Sequence, residues 1–207
     1  MNLMKGEQME QKREQILEIA FDLFLTIGYE ATTVRMICRK AEIEAPTIYY
    51  YFGSKRGLFF AVVDWILIEY GQLKTKSELD TYKSPEEKLR MIFMNSIQYA
   101  MTYTRQTKFY LRYTLFIPEE LKDDINSYME KTYEQRNTLY RKLVKECLDR
   151  HCSETEIENG YRKMKTLVDD CTFNVVFSGW SPEESEIIEI WDIFYHLQLK
   201  GTPYLRH

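Results

Sequence analysis

Apolar residues recur every three or four positions along most of the chain, which is the spacing of one face of a helix. The first such run extends from Gln11 to Ile27, and Gly28 then suits a C-terminal helix cap. No segment offers a convincing β-strand. The pattern therefore predicts an all-α protein of about nine helices.

Two short helices are predicted after this first one. Thr32 or Thr33 can cap a helix that ends at Ala41, and APTIYYYF (45–52) has Pro46 in its first turn, where the missing N–H has no helical partner anyway. Helices of about eight residues are marginal alone, so they must bury a shared apolar face. This is typical of a helix-turn-helix, although a structural corner in a larger helical bundle has the same periodicity.

Six longer helices are predicted in the rest of the chain. Two of the starts, Ser84-Pro85-Glu86-Glu87 and Ser181-Pro182-Glu183-Glu184, combine a polar cap with Pro and Glu, because the helix dipole favours acids in the first turn. The polar segment 73–84 is predicted to be a connection. The predicted helical ranges are about 55–72, 85–103, 106–116, 119–150, 154–178 and 182–199.

Composition is that of a soluble globular protein, with 44% hydrophobic, 29% charged and 14% aromatic residues among 207. No apolar run approaches the ~18 residues that span a bilayer, and the polar start lacks the apolar core of a signal peptide. Four cysteines without a CxxC pair suit a reducing compartment. We therefore expect a cytoplasmic protein with no membrane association.

The formal net charge of −4 argues mildly against nucleic acid, but local charge decides when one small domain binds. Lys55 follows Ser54 at a helix start, so its ammonium and the nearby N–H groups can meet one phosphate. Tyr49, Tyr50 and Tyr51 point about 100° apart on a helix and cannot all face one core. Five basic residues flank these tyrosines: Arg35, Arg39, Lys40, Lys55 and Arg56.

The stretch ILEIAFDLFLTIGYEATTVRMICRKAEIEAPTIYYYFGSKRGLF resembles the N-terminal DNA-binding domain of TetR-family transcriptional regulators. The resemblance covers about residues 11–60, and its most specific part is Thr47-Ile48-Tyr49-Tyr50-Tyr51-Phe52 followed by Ser54-Lys55. Beyond residue 60 only the length and the helix count are similar. It implies a helix-turn-helix domain over 1–55 and a larger helical effector-binding and dimerisation domain over 56–207.

The resemblance also implies roles for individual residues of the DNA-binding domain. Phosphate contacts are expected from Thr33, Tyr49, Tyr51 and Lys55. Base edges are expected to be read by Ala45, Pro46, Thr47 and Tyr50. The charge pattern adds Arg35 to the DNA-binding set. A structural alternative for Tyr49 and Tyr51 is that their rings mainly brace the recognition helix.

Two acids depart from the family pattern. Glu42 stands in the turn where the family usually has Gly, and a left-handed conformation there costs a non-Gly residue on the order of 1 kcal/mol. Glu44 replaces the small polar cap that precedes the recognition helix. Its carboxylate suits the helix dipole, but it repels phosphate or accepts from a cytosine amino group.

Aromatic residues are abundant in the remaining chain, and most of them must serve core packing. Buried phenols need hydrogen-bond partners, however, so a core made only for stability favours Leu, Ile and Val. The resemblance implies a small-molecule effector, and an aromatic cavity with nearby acids suits a planar or cationic ligand. The candidate ligand-binding residues are Tyr99, Tyr103, Tyr110, Tyr113, Phe116, Tyr133 and Phe173.

The family pairs its last two helices with those of a second copy, which implies a homodimer. A two-fold dimer also suits a helix-turn-helix that reads two half-sites. The candidate interface residues are Tyr161, Met164, Val168, Val175, Ile187, Trp191 and Phe194.

No catalytic motif is recognisable, since HExxH, GxSxG and a P-loop are all missing from the sequence. Cys147, His151 and Cys152 have the spacing to begin a metal site, but no second cluster completes it. We therefore expect no enzyme, no cofactor and no metal.

The sequence predicts a homodimeric, ligand-responsive regulator, most simply a repressor, that binds a palindromic double-stranded DNA operator. Its effector would shift the dimer between two states with different spacing of the recognition helices. One rival hypothesis is a helical small-molecule-binding protein or enzyme whose N-terminal corner is structural. Another is a family member that activates transcription or works through a protein partner.

Overall fold

The computed structural model describes residues 2–71, 82–148 and 151–202. These residues form nine α-helices and no strand, which confirms the all-α prediction. The helices are α1 (Asn2–Thr26), α2 (Val34–Ala41), α3 (Ala45–Phe52), α4 (Lys55–Gly71), α5 (Pro85–Thr102), α6 (Thr104–Leu115), α7 (Lys122–Cys147), α8 (Glu154–Phe173) and α9 (Glu184–Ile193).

Shorter helical segments extend three of these helices. A 3₁₀ turn, Glu119–Leu121, leads into α7, and π-helical segments continue α8 through Asn174–Ser178 and α9 through Phe194–Lys200. Most of the predicted connection 73–84 and the predicted end of the long helix near residue 150 lie outside the described residues.

Helix α1 begins at Asn2, whereas hydrophobic periodicity placed its start nine residues later, at Gln11. The residues before Gln11 are mostly Met, Glu, Gln and Lys, which have high helix propensity. They carry no apolar stripe, so periodicity alone does not detect them.

The described chain divides into two compact units. One comprises Met1–Gln72 with Lys108–Asp123, and the other comprises Leu73–Thr107 with Asp124–His207. The predicted domains 1–55 and 56–207 were defined by function rather than by contacts, and that assignment stays a prediction.

The core of the first unit joins α1 to the two short helices and to α4. Ile37 and Ala41 of α2 and Ile48 of α3 are fully buried, as the predicted shared face requires. Val34 is only half-buried, and Cys38 is buried in its place. The partners of this face on α1 and α4 are also fully buried: Ile16, Leu17, Ala20, Phe24, Leu58 and Phe59.

The C-terminal end of α1 is capped by two side chains of α6. The Tyr113 hydroxyl donates to the carbonyl of Phe24 at 2.9 Å, and Arg112 Nη1 donates to the carbonyl of Leu25 at 2.9 Å. These carbonyls belong to the last turn, where a helix leaves its acceptors without partners. Gly28 follows with φ of 91°, and a Cβ there would lie 2.7 Å from Arg112 Nη2. A side chain at position 28 would therefore disturb the cap.

The second unit has its own core, formed by α5, α7, α8, α9 and the two π-helical segments. Trp191 lies at its centre, with the ring centroid of Phe93 at 5.8 Å and that of Phe194 at 5.6 Å. Ser84 and Ser153 each form a capping box with the Glu three residues later, at the starts of α5 and α8. Both predicted helix starts are therefore confirmed.

The turn between α2 and α3 is left-handed at Glu42, where φ is 52° and ψ is 49°. Its N–H donates to the carbonyl of Cys38, and the N–H of Ile43 reaches the same carbonyl at 3.1 Å. This is the C-terminal helix ending that Gly usually provides. Glu42 is the one non-Gly residue with positive φ among the described residues.

We expect the substitution Glu42→Gly to raise the free energy of unfolding by about 1 kcal/mol, because Gly removes the Cβ strain of the left-handed conformation. Chemical denaturation measures the change. Glu42→Ala is the matched control, since it removes the carboxylate but keeps the Cβ and should leave stability within about 0.5 kcal/mol. Equal stability of the Gly and Ala variants would show that the backbone strain is negligible.

Candidate nucleic-acid interface

Helix α2 begins at a cap that the sequence identified. Thr33 Oγ1 accepts from the N–H of Met36 at 3.2 Å, and Thr33 itself is exposed. Thr32, the other candidate cap, is buried instead, and its hydroxyl donates to the carbonyl of Gly28 at 2.7 Å. Thr33 therefore stands at a helix start with its polar side toward solvent.

Helix α3 has one buried face and one exposed face. Ile48 is fully buried, whereas Tyr49 and Tyr50 keep 52% and 72% of their surface exposed. Pro46 is exposed as well, and Ala45 and Thr47 are half-buried at the start of the helix. The residues expected to read bases therefore lie on or beside an open surface.

Tyr51 and Phe52 differ from the two preceding tyrosines. The Tyr51 hydroxyl donates to the backbone carbonyl of Met9 at 3.3 Å, and its ring meets the ring of Tyr50 edge-on at 5.1 Å. Phe52, which lies four residues after the buried Ile48, is only half-buried, and its ring centre is 5.9 Å from the guanidinium of Arg13. These contacts favour the interpretation that Tyr51 braces the recognition helix. Of the two tyrosines expected to contact phosphate, Tyr49 is therefore the one with an exposed phenol.

Lys55 opens α4, directly after Ser54, whose Oγ accepts from the N–H of Gly57 at 2.9 Å. The Lys55 ammonium donates to the carbonyl of Tyr29 at 3.1 Å and lies 4.1 Å from the centre of the Tyr29 ring. An ammonium has three donors, so this anchoring holds the charge in place and leaves capacity for an anion.

Charges of both signs are exposed around α3. Arg35, Arg39 and Lys40 of α2 are exposed, and so are Glu42 and Glu44 in and after the turn. Glu44 occupies the N-cap position of α3, but its carboxylate makes no capping hydrogen bond. Beneath this turn, burial and then the charge of Glu44 raise the pKa of the Cys38 thiol, which keeps it neutral.

The predicted ligand-binding residues are divided between the two units. Tyr99 and Tyr103 stack at 4.7 Å, and Phe173 packs against Phe177, in the second unit. Tyr113 belongs to the first unit, where its hydroxyl caps α1 and burial raises its pKa to about 12. Tyr110 and the exposed Phe116 also belong to the first unit.

Arg136 is a charged residue beside two tyrosines of α7, and the sequence pattern did not select it. Its guanidinium lies 3.8 Å from the ring centre of Tyr133, a predicted ligand-binding residue, and 5.9 Å from that of Tyr140. Spacings of three and four residues on one helix place such side chains together, so the pattern was available in the sequence.

Most of the predicted interface residues are buried within the single chain. Val168 is half-buried, and six others are buried: Tyr161, Met164, Val175, Ile187, Trp191 and Phe194. Core residues offer little surface to a partner. The exposed apolar residues of the same helices are instead Phe173, Phe177 and Leu197, and the sequence pattern did not select the last two.

No group of three or more His, Cys, Asp or Glu side chains that could hold a metal occurs in the described part of the chain. Across the same ranges, no helix has both the length and the apolar character needed to cross a bilayer.

The sequence of the first unit matches a known protein family. Residues 16–62 match the family described as bacterial regulatory proteins, tetR family. The transcriptional repressor KstR2 of Mycolicibacterium smegmatis is 36% identical over 95 residues, which cover 44% of this chain and 44% of KstR2. The matched region thus spans less than half the length of that relative.

Two solved structures resemble nearly the whole chain in fold. The fatty acid degradation regulator FadR of Bacillus halodurans superposes with a TM-score of 0.67 at 17% identity, covering 91% of this chain and 97% of FadR. AibR, solved with isovaleryl coenzyme A and operator DNA, gives a TM-score of 0.61 at 16% identity, covering 91% of this chain and 98% of AibR.

KstR2 is named as a transcriptional repressor and FadR as a regulator. The family match covers α1 from Ile16, the α2–α3 pair with its exposed tyrosines, and the first half of α4. Residues 16–62 thus match the tetR family of bacterial regulatory proteins, in the segment whose own residues indicated that resemblance.

Proposed function

We propose that this protein is a ligand-responsive transcriptional repressor that binds a palindromic operator as a homodimer. The observation that carries the proposal is the orientation of α3, which buries Ile48 and exposes Tyr49 and Tyr50. A helix held by one face and open on the other can enter a major groove.

The chemistry around α3 suits DNA on both sides of the helix. Thr33, Tyr49 and the anchored Lys55 supply donors for phosphate, and exposed Arg35 adds a positive charge. Pro46, Thr47 and Tyr50 supply an apolar edge, a hydroxyl and a phenol for base edges. Phosphate contacts carry most of the affinity of such complexes and make it depend on salt.

Glu42 and Glu44 weaken the positive field at the same surface. Because the whole chain also carries a net charge of −4, general attraction to DNA is small. Binding must then depend on the local contacts of α2, α3 and Lys55, which favours a specific operator over random sequence.

The dimer surface is proposed to lie on the outer side of the last two helices. Phe173 and Phe177 keep 42% and 46% of their surface exposed, and their rings pack at 4.7 Å into a single aromatic ridge. Leu197 on the final π-helical segment is also exposed. The buried residues predicted for the interface, such as Trp191 and Phe194, would support this surface from within.

The effector is proposed to have an apolar body and an anionic group. The tyrosines of the second unit provide flat apolar surface, as expected for a planar ligand. Arg136 already places a cation on the faces of Tyr133 and Tyr140, which disfavours the cationic ligand also considered from the sequence. A guanidinium suits a carboxylate or phosphate, and AibR was solved with an acyl-coenzyme A.

DNA binding is tested on a labelled duplex from the DNA that flanks the protein's own gene, with the dissociation constant measured across a salt series. The wild type should lose affinity steeply as salt rises. Lys55→Met should weaken binding and reduce the slope of log K against log[salt] by about 1. Thr47→Ala should cost about 1–3 kcal/mol of binding free energy on the operator, with no such loss on unrelated DNA.

The matched control is Lys142→Met, which removes an exposed lysine of the second unit and should leave both affinity and slope unchanged. A wild type that gives no salt-dependent shift with this duplex would contradict DNA binding. A Lys55→Met variant that is folded by circular dichroism and binds like wild type would favour the structural-corner hypothesis.

Sedimentation velocity tests the dimer. The mass derived for the wild type should be twice the chain mass of 25.0 kDa. Phe173→Glu should shift it toward the monomer, because a carboxylate in a desolvated interface lacks a partner. Phe116→Glu is the control, since Phe116 is exposed in the first unit and its change should leave the dimer intact. A monomeric wild type, or a dimer unaffected by Phe173→Glu, would contradict the proposed surface.

Isovaleryl-coenzyme A is a practical probe of the effector class, with free coenzyme A and a cationic aromatic dye for comparison. The acyl-coenzyme A should release the labelled duplex, and Arg136→Gln should raise the required concentration about tenfold, as expected for the loss of a charge-assisted hydrogen bond. Release by the dye but not by the acyl-coenzyme A would exclude the anionic class.

A further inference from the structure

The N-terminal half of α1 contacts the ends of both short helices. Lys12 Nζ donates to the carbonyl of Ala41 at 3.3 Å, and also to Gln15 Oε1 at 3.1 Å. The carbonyl of Met9 accepts from the Tyr51 hydroxyl at 3.3 Å, and the guanidinium of Arg13 lies 5.9 Å from the Phe52 ring. The three contacts that reach α2 and α3 all come from residues 9–13 of α1.

Each contact reaches a C-terminal end rather than the buried face. Ala41 is the last residue of α2, where carbonyls lack helical partners and positive charge is favoured by the helix dipole. Tyr51 and Phe52 are the last residues of α3, and Gly53 follows with φ of 72°. Ile48 fixes the middle of α3, and the contacts of Met9 and Arg13 hold its C-terminal end. Lys12 holds the end of α2 that leads through the turn into α3.

The need for such support follows from the length of α3. An eight-residue helix is marginal by itself, and its N-cap residue Glu44 contributes no capping hydrogen bond. The orientation of Tyr49 and Tyr50 therefore depends on what packs against the rest of the helix.

We propose that residues 9–13 of α1 form a clamp that sets the orientation of α3, with Lys12 and Arg13 as positioning residues rather than phosphate contacts. The ammonium of Lys12 is engaged at the C-terminal end of α2, and the guanidinium of Arg13 lies over the ring of Phe52 at the C-terminal end of α3. This inference rests on the proposed DNA binding, because it assigns the clamp a role in operator affinity.

The test compares Lys12→Met with Lys12→Arg in the full-length chain, on the same labelled duplex and well below the unfolding temperature. Lys12→Met keeps the aliphatic stem and loses the donor, so the dissociation constant should rise about fivefold. The slope of log K against log[salt] should stay at the wild-type value, unlike that of Lys55→Met. Lys12→Arg, which keeps a charged donor, should retain most of the affinity.

A second measurement does not involve DNA. Hydrogen–deuterium exchange of the free protein should be faster over residues 49–53 in Lys12→Met than in the wild type, with the exchange of α8 unchanged. This readout survives if the chain proves not to bind the duplex, so it separates failure of the clamp from failure of the proposed function.

Two results would overturn the clamp. A fall in the salt slope of about 1 in Lys12→Met would make Lys12 a direct phosphate contact. Unchanged affinity together with unchanged exchange over residues 49–53 would make the contacts incidental.

Discussion

The full burial of Ile48 is the constraint on which the candidate interface depends. Helix α3 has eight residues, too few to be stable alone, so it persists because one face packs against α2 and α4. Once that face is fixed, helical geometry sends Tyr49 and Tyr50 outward, since successive side chains are about 100° apart. The exposed phenols are a consequence of the buried isoleucine.

Glu42 and Glu44 show that this surface was not optimised for stability or for affinity alone. One keeps a Cβ in a left-handed turn, and the other takes a cap position without using its side chain as a cap. Two carboxylates beside the basic residues of α2 also lower the local potential. Under the proposed operator binding, weaker attachment to non-operator DNA is one physical gain that offsets both costs.

The first unit could be predicted in detail because its constraints are local. The cap at Thr33, the left-handed turn at Glu42 and the buried position of Ile48 each follow from neighbours within a few residues. The contacts of Met9, Lys12 and Arg13 could not be predicted, since they join residues about 30 to 40 positions apart and leave no periodic signal. The hydrogen bond of the Tyr113 hydroxyl could not be predicted for the same reason, because its acceptor, the carbonyl of Phe24, is 89 residues away.

The second unit shows where hydrophobic periodicity stops being informative. It identifies the helix face that is apolar, and on α8 and α9 that face is the core of the chain itself. The proposed interface between copies would be a second, smaller apolar patch outside that core. Phe173 and Phe177 are four residues apart and form such a patch with their rings in contact, yet two residues are too few to show a period. Burial has to be known before the residues left outside the core can be assigned to a partner.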